Sequence, residues 1–138
     1  MSRVLRSLAV VVLLCGAATG TTGCVTACPA IGYISAVVVN VSAFPEVAAV
    51  QFCVEAACSP APGEDATSST NMYAATPQED GTWSLAFDLS TPEVVDIRLF
   101  DAQGGLVHES EESISWTHSE GVCPGPSTAE PLVLARTS

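Results

Sequence analysis

Basic residues are almost absent from this sequence: it has no lysine and only four arginines, against fifteen acidic residues. Two of the arginines, Arg3 and Arg6, belong to an N-terminal export segment. The rest of the chain has two arginines, Arg98 and Arg136, and all fifteen carboxylates, so its formal charge is −13. A surface of this sign repels phosphate groups, so binding by charge to nucleic acid or to anionic lipid headgroups is excluded.

Long hydrophobic runs are also missing, apart from one short segment near the N-terminus. Leu8–Leu14 is apolar throughout, two arginines precede it, and the small residues of Gly16–Gly20 follow it. This order is typical of a secretory signal peptide, which we assign to residues 1–23 and expect to be helical. The apolar stretch is about half of the ~20 residues that a transmembrane helix needs, so the sequence predicts export rather than a permanent span.

The export segment ends at a cysteine in a distinctive context. Thr21-Thr22-Gly23-Cys24 resembles a bacterial lipobox, in which a signal peptidase cuts before a cysteine that is acylated. Thr21 differs from the usual Leu, Val or Ile, and Val25 differs from the usual small or polar residue. The alternative is ordinary secretion, with cleavage between Ala18 and Gly23.

The number of cysteines favours acylation of Cys24. Six cysteines are present, and Cys15 leaves with the signal peptide. A free Cys24 would leave five cysteines in an oxidising compartment, whereas an acylated Cys24 leaves four, which two disulfides satisfy. Those four are Cys28, Cys53, Cys58 and Cys123. We predict the bridges Cys53–Cys58 and Cys28–Cys123; the alternatives join Cys28 to Cys53 or to Cys58.

The mature chain shows strand patterns and no sustained helical stripe. We expect a tether over residues 24–31 and one domain over residues 32–138. In Thr82–Leu89, the side chains of Trp83, Leu85, Phe87 and Leu89 alternate with smaller or polar ones, which predicts one buried face. Val94–Phe100 alternates as well, and a turn at Asp101–Gly105 predicts a hairpin with the strand that follows. Further candidates are Tyr33–Val41, Val47–Val54, Asn71–Ala75, Ile114–Thr117 and Leu132–Leu134, with a loop over Ala56–Gly63. Seven or eight short strands predict an all-β fold, an antiparallel β-sandwich.

Five segments carry a resemblance to known families. Asp80–Leu85, Val94–Leu99 and Asp101–Gly104 resemble the central strands of bacterial immunoglobulin-like and carboxypeptidase-regulatory-like modules. Cys28–Tyr33 and Cys123–Pro126 resemble segments of uncharacterised actinobacterial secreted lipoproteins of similar length. The resemblance implies an immunoglobulin-like or transthyretin-like sandwich and implies no activity.

No motif in the sequence indicates catalysis or a cofactor. There is no Gly-x-Ser-x-Gly elbow, and we interpret His108 and His118 as surface strand residues. The spacing of Cys53 and Cys58 differs from that of structural zinc sites, so we assign no metal ligand. Acidic clusters at Glu109–Glu112, Glu64–Asp65 and Glu79–Gly81 fit no EF-hand and are interpreted as solvated, with calcium binding as the alternative. Paired carboxylates for glycoside hydrolysis stay open.

These observations favour a non-catalytic binding or accessory module anchored by lipid to the outer face of the cytoplasmic membrane. Its partner would be a protein or the cell wall. The alternative is a small extracytoplasmic hydrolase or metal-dependent enzyme. The two differ in surface: a module needs an exposed apolar or aromatic patch, and an enzyme needs a pocket of convergent polar groups. Trp83 is interpreted as core, and Trp116 as core or as a carbohydrate-stacking face.

The lipobox interpretation predicts that Cys24 is the acylated N-terminus of the mature protein. Cys24→Ala should therefore move the protein from the membrane fraction to the medium, because the anchor is removed. Mass spectrometry of the membrane-extracted protein is the direct measurement. An unmodified N-terminus upstream of Cys24 would contradict the interpretation.

Overall fold

Alternating β-branched and aromatic residues build ten strands in the computed structural model, which describes residues 27–65 and 72–136. Six of the strands are five to eight residues long, and four have only two residues. The strands are β1 Ala36–Asn40, β2 Ala49–Val54, β3 Ala57–Cys58, β4 Tyr73–Pro77, β5 Thr82–Phe87, β6 Val94–Phe100, β7 Leu106–Ser113, β8 Trp116–Thr117, β9 Thr128–Ala129 and β10 Leu132–Val133. The sequence predicts only seven or eight strands because it misses two of the two-residue strands, β3 and β9.

The strands form two four-stranded sheets and one small ladder. Sheet A has the order β10-β1-β5-β4, sheet B has the order β3-β2-β6-β7, and β8 pairs with β9. Every pair is antiparallel except β1 with β10. The predicted all-β antiparallel sandwich is therefore confirmed. The predicted signal-peptide helix, and Cys24 with it, lie outside the described residues.

The core lies between the two sheets and uses the inward side chain of every second strand residue. Phe52 on β2 meets Phe87 on β5 edge to face, with ring centroids 4.8 Å apart. Sheet A and sheet B contribute these fully buried strand residues: Val37, Val39, Leu85, Phe87, Phe52, Val95, Ile97 and Leu99. Aromatic and aliphatic side chains from both sheets interdigitate, so the apolar contact between the sheets is the main stabilising interaction.

The predicted hairpin joins β6 to β7 and is confirmed. In its turn, the Asp101 carboxylate accepts hydrogen bonds from the backbone N–H groups of Gln103 and Gly105, at 2.9 and 2.8 Å. Gly104 lies at φ +80°, a conformation that L residues rarely adopt. The register shifts between Leu99 and Phe100, which marks a β-bulge next to the turn.

Two expectations about strand limits are wrong, and both errors have the same cause. β5 ends at Phe87 because Asp88 takes a left-handed conformation at φ +58°. The turn directs Leu89 to the surface, where it is 65% exposed, rather than into the core with Leu85. Glu55 is also left-handed, at φ +53°, and turns the chain back so that Ala57–Cys58 pairs with β2 inside the segment expected to be a loop. Single left-handed residues that are not glycine leave no hydrophobic pattern to recognise.

Both predicted disulfides are present in the structure. Cys53 and Cys58 are direct partners in the β2–β3 pairing. Cys28 and Cys123 are bridged with their Cα atoms 5.2 Å apart, within the usual range for a disulfide. The second bridge joins the arm before β1 to the segment between β8 and β9, across 95 residues of sequence.

The difference in loop length predicts different contributions to stability. In the chain-entropy model, the long Cys28–Cys123 loop contributes about 4 to 5 kcal/mol and the short Cys53–Cys58 loop about 2 kcal/mol. Denaturant unfolding of Cys28→Ala/Cys123→Ala should therefore show a larger loss of unfolding free energy than that of Cys53→Ala/Cys58→Ala. Equal losses would show that loop entropy does not govern the stability of this domain.

Candidate functional site

Three adjoining clefts lie at one end of the sandwich, which we call the arm end. It is formed by the arm of residues 28–35, the loop of residues 88–93 and the segment of residues 114–127. Thr91 and His118 line both the first cleft and the central one. Glu93 and Val94 line both the central cleft and the third. The clefts are therefore neighbours; we call the three together the groove, and it is the candidate functional site.

The first cleft, of about 290 Å³, is lined by exposed apolar side chains from the arm and the loop. Ile31 is 60% exposed, Tyr33 37% and Leu89 65%. The Leu89 side chain lies directly over Gly32, where a Cβ atom would come within 2.8 Å of it. Glycine at this position thus allows the arm to pack on Leu89. Together these residues make an apolar surface, which the sequence pattern missed because it placed Leu89 in the core.

Trp116 lines the central cleft of about 520 Å³ and is half-buried. Its indole N–H donates to the Pro92 carbonyl at 2.7 Å, and its ring meets Phe87 edge to face at 6.0 Å. Trp83 is half-buried as well and packs against the core. Trp116 therefore combines both interpretations of the sequence: it packs on the core and it also lines a surface cleft. Its hydrogen bond holds the loop of residues 88–93 against β8.

His118 contacts a serine rather than a carboxylate. The Nδ1 atom of His118 lies 2.8 Å from the Ser127 hydroxyl, and both residues line the first cleft. The contact arises because Thr117 pairs with Thr128 across the β8–β9 ladder, which places the next residues opposite each other. A serine beside a histidine is the start of a nucleophile–base pair, which also needs a third group to orient the imidazole. Among the described residues, no carboxylate bonds to His118.

The third cleft, of about 450 Å³, is acidic. Glu55, Glu93, Asp96 and Glu111 line it, together with the Cys53 end of a disulfide. Beside it, the Arg98 guanidinium donates to Glu109 at 2.7 Å across the β6–β7 pair and lies 3.8 Å from the Cys53 sulfur. Within residues 27–65 and 72–136, no group of three or more histidine, cysteine or carboxylate side chains is placed to hold a metal ion.

Apart from Glu111, which lines the third cleft, the other residues considered as functional lie away from the groove. His108 is at the opposite end, with its ring 4.6 Å from that of Phe44, and Arg136 lies over the same phenyl ring at 4.9 Å. Glu109–Glu112 belongs to β7, and Glu79–Gly81 is the turn before β5. The part of the chain that the structure describes contains no helix of the length and apolarity that a membrane crossing requires.

Two carboxyl groups have shifted pKa values, and both lie in turns far from the groove. The side-chain hydroxyl of Thr82, and then its backbone N–H, lower the pKa of Asp80. A backbone hydrogen bond and then the Arg136 side chain lower the pKa of Glu46. Since both pKa values are lower in the folded state, these groups stabilise the fold above their unfolded pKa values, and the effect is lost as pH falls through the folded ones.

No family model, no curated protein and no solved structure matches this chain.

The bond from Trp116 to Pro92 predicts a local effect of substitution. Trp116→Phe keeps an aromatic ring against Phe87 but removes the donor, so unfolding free energy should fall by about 1 kcal/mol. Hydrogen exchange of the amides in residues 88–93 should become faster. Trp83→Phe is the control, since it replaces an indole by a smaller phenyl ring against the same core and leaves the bond to Pro92 intact. Equal changes in loop exchange for the two variants would contradict the assigned role of Trp116.

Proposed function

We propose that this chain is an extracytoplasmic, non-catalytic binding or accessory module, anchored through acylated Cys24, whose arm end contacts a component of the cell envelope. The supporting observation is the exposed apolar surface of Ile31, Tyr33 and Leu89. Exposed apolar patches mark surfaces that bind proteins, membranes or ligands. We also propose that the chain is a secreted lipoprotein of the type that its sequence resembles.

The rigidity of the arm supports this assignment. The arm is joined by the Cys28–Cys123 disulfide at one end and by sheet A at the other, where the Ser35 N–H donates to the Asp88 carbonyl at 2.8 Å. Leu89 fills the space between these two attachments, against Gly32. An apolar surface held in this way loses little conformational entropy on binding, which favours affinity.

A hydrolase is the second candidate, and the contact between His118 and Ser127 favours it. In a hydrolase, the serine hydroxyl would attack a carbonyl and the imidazole would accept its proton. The groove supplies space next to both residues. The module is preferred because no carboxylate among the described residues orients the His118 ring, and because the same cleft is lined by exposed Ile31 and Leu89.

A sedimentation experiment separates the two functions. Protein from a Cys24→Ser strain, which has no anchor, is mixed with washed cell envelopes and centrifuged. The module predicts that it sediments with the envelopes and that Ile31→Ser/Leu89→Ser abolishes this. Leu106→Ser/Val133→Ser is the matched control, since both residues are also exposed but lie at the opposite end.

The hydrolase is tested on the same preparations with a fluorophosphonate probe, which labels activated serines. The module predicts equal, background labelling of the unsubstituted protein and of Ser127→Ala. Labelling that Ser127→Ala and His118→Ala both remove would contradict the non-catalytic assignment. Unchanged sedimentation of the arm-end variant would contradict the assigned surface.

A further inference from the structure

We infer that the arm end rests on the lipid bilayer itself, with the apolar side chains of Ile31, Leu89 and Val122 inserted among the lipid headgroups. This inference rests on the proposed anchoring at Cys24 and names the envelope component that the arm end contacts.

The distance between the proposed anchor and the domain is short. Cys28 is fixed to the domain by its bridge to Cys123. Only four residue steps separate it from Cys24, a span of at most about 14 Å at ~3.5 Å per residue. An acyl chain on Cys24 lies in the membrane, so the Cys28–Cys123 bridge lies within that distance of the lipid. The surface around the bridge is therefore the part of the domain that meets the bilayer first.

The surface around the bridge is rich in exposed apolar side chains. Val122 is next to the bridge and 80% exposed, and its carbonyl oxygen lies 3.4 Å from the Cys28 sulfur. Ile31 follows the bridge by three residues, and Leu89 lies on the arm at Gly32. Tyr33, on the same surface, is a residue type enriched at membrane–water interfaces, where its ring is apolar and its hydroxyl is hydrated.

The direction of the strands places two other exposed apolar residues at the end away from the anchor. β1 begins next to the arm and ends at Asn40, where β10 pairs with it, so the exposed Val133 lies at the end away from the anchor. Leu106, also exposed, begins β7 at that end, on the other sheet. These two side chains line none of the three clefts, and single exposed apolar residues are common on protein surfaces. The exposed apolar residues that share a cleft are those beside the anchor.

The negative charge of the domain determines which lipid headgroups the arm end can bind. Glu93 and Glu120 lie at the arm end, and the domain as a whole is strongly acidic. Insertion must therefore be driven by apolar burial, and anionic headgroups oppose it at low salt. The surface is suited to zwitterionic lipid, or to anionic lipid whose charge is screened by salt.

Tryptophan fluorescence in brominated vesicles tests the inference. The Leu89→Trp protein is extracted from membranes and reconstituted into phosphatidylcholine vesicles that carry bromine near the headgroup end of the acyl chains. Interfacial insertion to ~5–10 Å should shift the added emission to shorter wavelength and quench about half of it. Val133→Trp is the matched control: its added emission should stay at the long wavelength of a water-exposed indole, and bromine should quench it no more than the Trp83 and Trp116 emission of the unsubstituted protein. If Leu89→Trp fails to fold, Val122→Trp gives the same readout.

The outcomes separate lipid from other partners. Quenching of Leu89→Trp and not of Val133→Trp, weaker in phosphatidylglycerol vesicles at low salt and restored by salt, supports the inference. Equal emission of the two variants overturns it, as does an emission change that appears only when envelope proteins are added. The mass of the reconstituted protein reports acylation of Cys24 independently. If Cys24 carries no lipid, the proposed anchoring fails, and coupling its thiol to a maleimide phospholipid allows the same fluorescence test of the surface.

Discussion

The disulfide between Cys28 and Cys123 is the constraint on which the arm end depends. The arm before β1 has no strand partner of its own until residue 36, so its position follows from the bridge at one end and from sheet A at the other. The bridge also fixes residues 114–127, which carry Trp116 and His118 into the groove. Without this connection, the first cleft would lose the arm side of its wall, because Ile31 and Tyr33 both belong to the arm.

The sandwich provides a rigid base for this end of the molecule. Its core is built from two inward faces whose side chains are almost fully buried, and Phe87 connects it to the groove through its edge contact with Trp116. Trp116 in turn holds the Pro92 carbonyl. A chain of contacts thus runs from the centre of the core to the loop that presents Leu89. The loop that carries Leu89 is therefore connected to the core through these contacts.

The sequence predicts the regular parts of this structure and not the exceptions. The alternation in Val94–Phe100 was sufficient to predict β6, because every second residue of this strand is buried. The disulfide pairing was predicted from the positions of Cys53 and Cys58 at a strand end and a loop, and of Cys28 and Cys123 before the first and last predicted strands. The exposure of Leu89 and the contact between His118 and Ser127 were missed. The first depends on one left-handed backbone angle at Asp88, and the second on a two-residue ladder whose second strand, Thr128–Ala129, was not among the predicted strands.

Peptide mapping of the unreduced protein by mass spectrometry tests the central claim most directly. The account predicts one cross-linked peptide that contains Cys28 and Cys123 and another that contains Cys53 and Cys58. A peptide that joins Cys28 to Cys53 or to Cys58 would contradict it, since the arm would then be attached beside the β2–β3 hairpin and the apolar surface described here would not form.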